Sequence, residues 1–343
     1  MKIRANYPGS SIGIIEEKEN RIIVSPKLEG KKYSNYYNFI VSNDDKEGII
    51  VLKNINNQQY NAEAIPLVGD MKGNYIKLDK SRYEVNEDSL EITVKPNEEF
   101  EVSSYPRYTK ENLDAFLSTI DSNEVTINSR ALKEIIIGDK EKEAVFIIGR
   151  QHPGETLSSF FIEGVINSII DNKLYDNKCF VIYPIVNEQG VEDGNHRFTL
   201  GYDYNRMWNT KGVIEEIDHI KSQMEDFKVK TFIDVHCDEV TKQDYIRTKE
   251  EDIKNLVDNI QVLADQSQLK RFIRALVKQR KIINVFDKTA REYVQDKYGC
   301  ESILIELSLS NIDREERYNL GYSFISKMMG ATKDETHINS RKR

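Results

Sequence analysis

Cysteine is scarce in this chain, with three residues among 343, at Cys179, Cys237 and Cys300. An odd count without a CxxC pair argues against a disulfide framework and for a reducing compartment, of which the cytoplasm is the simplest. Basic charge is in deficit, with 49 Lys and Arg against 57 Asp and Glu and a formal charge of −8. Nucleic-acid binding needs a basic face to neutralise phosphates, and this balance argues against it. The opening MKIRANYPGSSIGIIEEKEN has no apolar core, so neither a signal peptide nor a membrane span is expected. Histidine is sparse too, with five residues. A hydrophobic content of 39% is nonetheless enough for a packed core. The length suggests two domains, or one large domain with an appendage.

Short runs of strand character fill the first hundred residues, at 11–15, 21–24, 36–41, 49–52, 75–78 and 90–94. Turn formers at 43–45 and 54–57 separate them. Regular short strands without a helical period predict a β-sandwich, closed by Pro106. The pattern then changes. Thr109 can cap a helix, and strands alternate with helical stretches. Residues 155–170 carry an apolar stripe at 157, 161, 162, 165, 166, 169 and 170. Residues 250–280 are charged and helical in pattern. This alternation predicts an α/β fold: a mixed, mostly parallel sheet with helices on both faces. The expected layout is an N-terminal β-sandwich domain over 1–106, a catalytic domain over 107–331 and a polar tail over 332–343.

Four apolar runs end in residues that hydrolytic metal chemistry needs. Residues 143–149 lead to His152 and Glu155, 180–186 to Asn187, 231–235 to His236 and 302–305 to Glu306. In open α/β sheets the ligand crevice lies beyond the carboxyl ends of the strands. Two His and a Glu make a zinc ligand set that leaves a fourth position for water. A further Glu there is a candidate general base. Singly, each residue has a plainer account. His152 could be a turn histidine before Pro153-Gly154, and His236 a satisfied histidine at a strand end. Glu306 resists such an account, because an ionisable group inside SILIELSLS is costly unless partnered or functional. His196, His219 and His337 lack the strand-end setting. His219 is expected on a helix surface and His337 in the tail.

In order and spacing these residues resemble the M14 zinc metallocarboxypeptidases, and within them the cytosolic carboxypeptidase branch, which includes tubulin deglutamylases. His152-Pro-Gly-Glu155-Thr resembles the branch's HPGET motif. Asn187-Glu-Gln-Gly190 stands where the family has NPDG and would shape a turn. Gly194-Asn195-His196-Arg197 resembles GNYR, and Asp203-Tyr-Asn205-Arg206-Met-Trp208 resembles DLNRxW. Asp234-Val-His236 and Ile305-Glu306 resemble the strands carrying the last ligand and the catalytic Glu. Thr289-Ala290-Arg291 resembles the TAR motif. The match covers residues 105–325, and an N-terminal β domain also fits this branch. Two departures stand out. Glu188-Gln189 replaces Pro-Asp, and Cys237-Asp238 replaces the Gly-His that often follows the last ligand.

The resemblance implies a carboxypeptidase-like fold and one Zn²⁺ held by His152, Glu155 and His236. It implies Glu306 as general base and Arg197 as the residue polarising the scissile carbonyl. Asn205 and Arg206 would hold the terminal carboxylate of a peptide or protein substrate, and Arg291 would face an acidic terminal side chain such as glutamate. Neither nucleic acid nor membrane is expected as a partner. Two other readings stay open. One is a zinc amidohydrolase or deacylase acting on small N-acyl amino acids or cell-wall peptides, which the changed Cys237-Asp238 wall allows. The other is a binding module without catalysis, against which the complete set of His152, Glu155, His236 and Glu306 argues.

Overall fold

The computed structural model describes residues 1–30, 32–34, 36–55, 66–70, 73–129, 132–238, 244–247, 288–309 and 312–330. The helical stretch expected over 250–280 and the polar tail with His337 lie outside the described residues.

Besides a short two-stranded sheet, the described residues between 2 and 103 form two five-stranded sheets. One orders Lys2–Arg4, Asn38–Ser42, Glu99–Ser103, Leu67–Gly69 and Tyr75–Lys77; the other orders Tyr83–Val85, Ser89–Val94, Gly48–Lys53, Arg21–Ser25 and Ile14–Lys18. Alternation explains the burial: Ser89–Val94 turns Leu90, Ile92 and Val94 inward and leaves Ser89, Glu91 and Thr93 partly open. Those side chains, with Ile22, Val24, Ile50 and Leu52, pack against Phe39, Val41 and Val102 of the other sheet. Each fully buried aliphatic side chain of this kind contributes about 1.5–3 kcal/mol. One expected strand shifts: it begins at Ile14, and Ser11 makes only an isolated bridge to Asn38.

Among the described residues a seven-stranded sheet follows, ordered Val125–Ser129, Lys133–Ile137, Cys179–Tyr183, Glu143–Gly149, Lys228–Asp238, Glu301–Ser308 and Tyr245–Arg247. The sheet is mixed. Its four central strands pair in parallel, while the first two and the last join antiparallel. The expectation of a mostly parallel sheet therefore describes the centre and not the edges. A hairpin at 125–137 and the short Tyr245–Arg247 strand supply the antiparallel pairings, which a strand–helix alternation does not reveal.

The central Glu143–Gly149 strand is buried on both sides, which is why it reads as an unbroken apolar run. Val145 and Ile147 face one core, and Ala144, Phe146 and Ile148 the other. The first core is roofed by helices Lys110–Leu117, Leu157–Asp171 and Arg314–Met328. The second is roofed by Glu215–Glu225 and Ala290–Tyr298. Thr109 does cap its helix, with the Asn112 side chain accepting from its N–H at 2.9 Å. The Leu157–Asp171 and Arg314–Met328 helices cross in close contact at two glycines. A Cβ on Gly164 would fall 2.0 Å from the Tyr318 carbonyl, and one on Gly321 would fall 2.0 Å from the Phe161 carbonyl.

His219 lies on the Glu215–Glu225 helix, but where an open surface position is expected it is only partly exposed. Its ring stands edge-on to Tyr183 at 6.1 Å, with Nε2 3.5 Å from the Glu134 carboxylate. Its place on the inward turn of an amphipathic helix accounts for the difference.

Candidate metal centre

The Glu143–Gly149 strand ends at Arg150, which turns with φ +55° and is 1% exposed. Its guanidinium bonds the Pro153 carbonyl at 3.0 Å through Nε, and Ser159 Oγ at 2.8 Å. This buried cation pins the His152-Pro-Gly-Glu155 turn between the strand and the helix that begins at Leu157. Nothing in the motif spacing singles out Arg150. Its position after an apolar strand, where an unpaired charge would be costly, is the signal that could have found it.

His152, Glu155 and His236 come together, all buried, with one ligand atom from each within 4.8 Å of the others. Glu155 spans the two imidazoles. Its Oε1 lies 2.6 Å from His152 Nδ1, and its Oε2 lies 2.8 Å from His236 Nδ1. It also accepts from the Cys237 N–H at 3.0 Å. Burial pushes the Glu155 carboxyl up, but the two imidazoles outweigh it and hold the carboxyl well below the usual range. Burial pulls His236 down, but Asp234 and Glu155 outweigh it and raise the imidazole well above its ordinary value.

The outer nitrogens carry carboxylates. Asp203 Oδ1 lies 3.1 Å from His152 Nε2, and Asp234 Oδ1 lies 3.0 Å from His236 Nε2. Such pairing fixes the ring orientation and frees the inner nitrogens for a metal. Gln151 braces the second pair, donating to both Asp234 oxygens at 2.8 and 2.9 Å and accepting from Trp208 Nε1 at 2.7 Å. Two imidazoles, each steadied by an outer carboxylate, and a carboxylate between them are a donor set that suits a divalent ion. Gln151 and the supporting roles of Asp203 and Asp234 escape a motif search, because each acts through a neighbour.

Glu306 stands in register with His236 on the adjacent parallel strand, so the two side chains leave the same face of the sheet. It keeps some exposure, yet the packing of protein around its carboxyl pushes it up to about 8, against the opposing pull of His236. Arg197 pairs with Asp203, Nε and Nη2 lying 2.9 and 2.8 Å from Oδ2. Arg206 donates to the Asn205 carbonyl at 2.7 Å. Burial raises Asp203, but His152 and then Arg197 and Arg206 outweigh it and hold it far down. Of the two arginines, Arg197 is the one bonded to this carboxylate, and Arg206 acts on it only through its charge.

Asn205 turns inward. Its Oδ1 accepts from the Ala290 N–H at 2.9 Å and its Nδ2 lies 3.1 Å from His236 Nε2. Arg291 follows on the same helix, where Nε donates to the Ser302 carbonyl of the Glu306 strand at 3.0 Å. Asn187 accepts from the Gly190 N–H at 3.0 Å and from the Thr199 hydroxyl at 2.9 Å, closing the turn before Arg197.

No family model matches the chain. Part of it is similar to cytosolic carboxypeptidase 6 of Mus musculus, 34% identical over 110 residues, which cover 29% of this chain and 20% of that protein. The same-named protein of Caenorhabditis elegans is 34% identical over 119 residues, covering 33% and 25%. The matched stretch thus spans a quarter or less of these relatives. Likeness of fold extends further. A metallo-carboxypeptidase structure from Burkholderia cenocepacia superposes with a TM-score of 0.79 at 16% identity, covering 96% of this chain and 98% of that one. A protein from Burkholderia mallei named as a candidate carboxypeptidase gives 0.82 at 17% identity, covering 96% of both. The resemblance carried by the motifs therefore holds at both levels: the chain is related in sequence to the cytosolic carboxypeptidases and has the fold of the bacterial metallocarboxypeptidases.

Proposed function

We propose that the protein is a zinc metallocarboxypeptidase that removes one C-terminal residue, acidic by preference, from a peptide or protein. The observation that carries this reading is the His152–Glu155–His236 cluster beside Glu306, together with the Arg197–Asp203 pair. The division of the chain near residue 106, supported by the separate core within residues 22–102, belongs to the same reading.

A divalent ion on His152, Glu155 and His236 would supply Lewis acidity and a water of lowered pKa. The protein's own groups do the rest. Glu306 takes a proton from the attacking water and returns it to the leaving amine. Its raised pKa suits this exchange, since a base near neutrality can both accept and release. Arg197 donates to the oxygen on which negative charge develops, a contribution of about 3 kcal/mol in comparable sites. Asp203 holds that guanidinium in place beforehand. Arg206 grips the terminal carboxylate, which its planar fork does better than Lys. Asn205 assists it by fixing the backbone beside Arg206, since its side chain is engaged with Ala290 and His236. Arg291 selects an acidic side chain.

The deciding experiment measures bound metal and the cleavage of peptides ending in Glu, Asp, Lys or Phe. One zinc per chain and release of single residues, lost in Glu306→Gln, are expected. A small N-acyl amino acid turned over faster than every peptide would replace this reading with a deacylase.

A further inference from the structure

We propose that Glu29, from the N-terminal part of the chain, is a positioning residue for Arg197. Glu29 sits at the start of a hairpin in which Leu28–Glu29 pairs with Lys32–Tyr33. Its carboxylate reaches out of the hairpin to the loop that carries Arg197. There it accepts three successive backbone N–H bonds: from His196 at 2.5 Å, from Arg197 at 2.8 Å and from Phe198 at 3.0 Å. Successive amides converging in this way make a nest for an anion. Each bond is charge-assisted, and so stronger than a bond between neutral groups.

The nest is built from the backbone of Arg197 and its two neighbours. Arg197 is therefore held at both ends, its main chain by Glu29 and its guanidinium by Asp203. Nearby ties fix the same loop to the same N-terminal segment. Lys27 Nζ donates to the Asp193 carbonyl, and the Gly9 N–H donates to the Glu192 carbonyl at 3.1 Å. Gly194, at φ +63°, lies so close that a Cβ would come 1.9 Å from the Ser10 carbonyl. On its far side the loop meets the metal-site turn, where the Gly154 N–H donates to the His196 carbonyl at 2.8 Å. The loop is thus a plate between the N-terminal sheets and the His152 turn, and Glu29 is the charged peg that sets its height.

The inference rests on the role proposed for Arg197, and the test separates the two. Glu29→Ala, Glu29→Gln and Arg197→Ala are compared with wild type in the metal-loaded full chain. The substrate is whichever peptide ending in Glu, Asp, Lys or Phe wild type cleaves fastest. Arg197→Ala should lose about 10²- to 10³-fold in kcat. Glu29→Ala should lose about tenfold in kcat with KM changed less than about twofold, as expected for misplacement of a group used in the transition state. Adding Glu29→Ala to Arg197→Ala should cost nothing more, because the first acts through the second. Glu29 is only partly buried, so propionate can enter the vacated nest and restore turnover to Glu29→Ala, whereas neutral propionamide should not.

A readout independent of turnover is amide hydrogen exchange at residues 196–198. Exchange there should be faster in Glu29→Ala and slow again with propionate. Should Glu29→Ala fail to fold, Glu29→Gln carries the comparison: it fills the same space but turns a donor toward one of the amides. Unchanged exchange at 196–198, full kcat in the Glu29 variants, or equal rescue by propionamide would overturn the proposal. Wild-type turnover in Arg197→Ala would instead remove the role given to Arg197, and the exchange data alone would then decide whether Glu29 fixes the loop.

Discussion

His236 and Glu306 are register partners on neighbouring parallel strands, so the sheet itself sets the spacing between a candidate metal ligand and a candidate base. The two can be separated by substitution. Glu306→Gln should keep bound metal and lose about 10²- to 10⁴-fold in turnover. His236→Ala should lose the metal, and with it a thermal stabilisation of a few degrees that added zinc gives wild type. Metal analysis and melting with and without chelator check both. Retention of metal by His236→Ala would remove His236 from the ligand set.

The pH profile follows from the raised Glu306 carboxyl. A base works as its carboxylate, so turnover should rise with pH. Burial, opposed by His236 and aided by the neighbouring carboxylates, places the midpoint at about 8. A bound cation favours the charged form and draws the midpoint down. The ascending limb of kcat/KM should therefore lie below 8 in the loaded enzyme and disappear in Glu306→Gln.

Arg291 donates through Nε to the Ser302 carbonyl on the strand that carries Glu306, so its guanidinium is held against that strand. Arg291→Ala should lower kcat/KM for peptides ending in Glu or Asp by about tenfold or more and spare those ending in Phe, as expected for loss of one charge-assisted contact. Equal losses across the panel would assign Arg291 a structural role.

Glu163 offers a test of stability remote from the metal. It accepts from the Tyr108 hydroxyl at 2.7 Å, and burial pushes its carboxyl up from 4.5 to about 7, against smaller pulls from Tyr108 and Arg314. The folded state therefore binds this proton more tightly than the unfolded chain. Its stabilising contribution is full below 4.5 and is lost as pH rises through about 7. The loss is about 3 kcal/mol at most. Glu163→Gln should melt like wild type at pH 5 and several degrees higher at pH 8. An equal difference at both would contradict the assignment.

Gly164→Ala sets helix propensity against space. The exchange gains about 1 kcal/mol in an isolated helix. Here the new methyl would meet the Tyr318 carbonyl at 2.0 Å, and backbone on the facing helix cannot swing aside. Overpacking costs about 1–3 kcal/mol or more. A lower urea midpoint is expected, and a higher one would mean that the two helices can part.

The sequence shows the fold best where one residue type repeats at one period. The apolar runs ending near His152, His236 and Glu306 are strands, because burial on both faces demands unbroken hydrophobicity. The order of the sheet is less legible. The hairpin at 125–137 and the Tyr245–Arg247 strand join antiparallel through contacts that no local pattern encodes. In the site, His152, Glu155 and His236 stand out because ligand chemistry restricts residue type. Arg150, Gln151 and Glu29 do not, because they act through a backbone carbonyl, another side chain and backbone amides respectively.

The three cysteines, inert as far as disulfides go, divide between the two cores. Cys237 lies in the core beneath the Leu157–Asp171 helix, and Cys179 and Cys300 lie in the opposite one. All three are buried thiols outside any disulfide, so a thiol reagent can reach them only when the covering layer lifts. The chain therefore carries its own reporters of breathing, one face read by a single sulfur and the other by a pair. The relative labelling rates would tell which helical roof opens first.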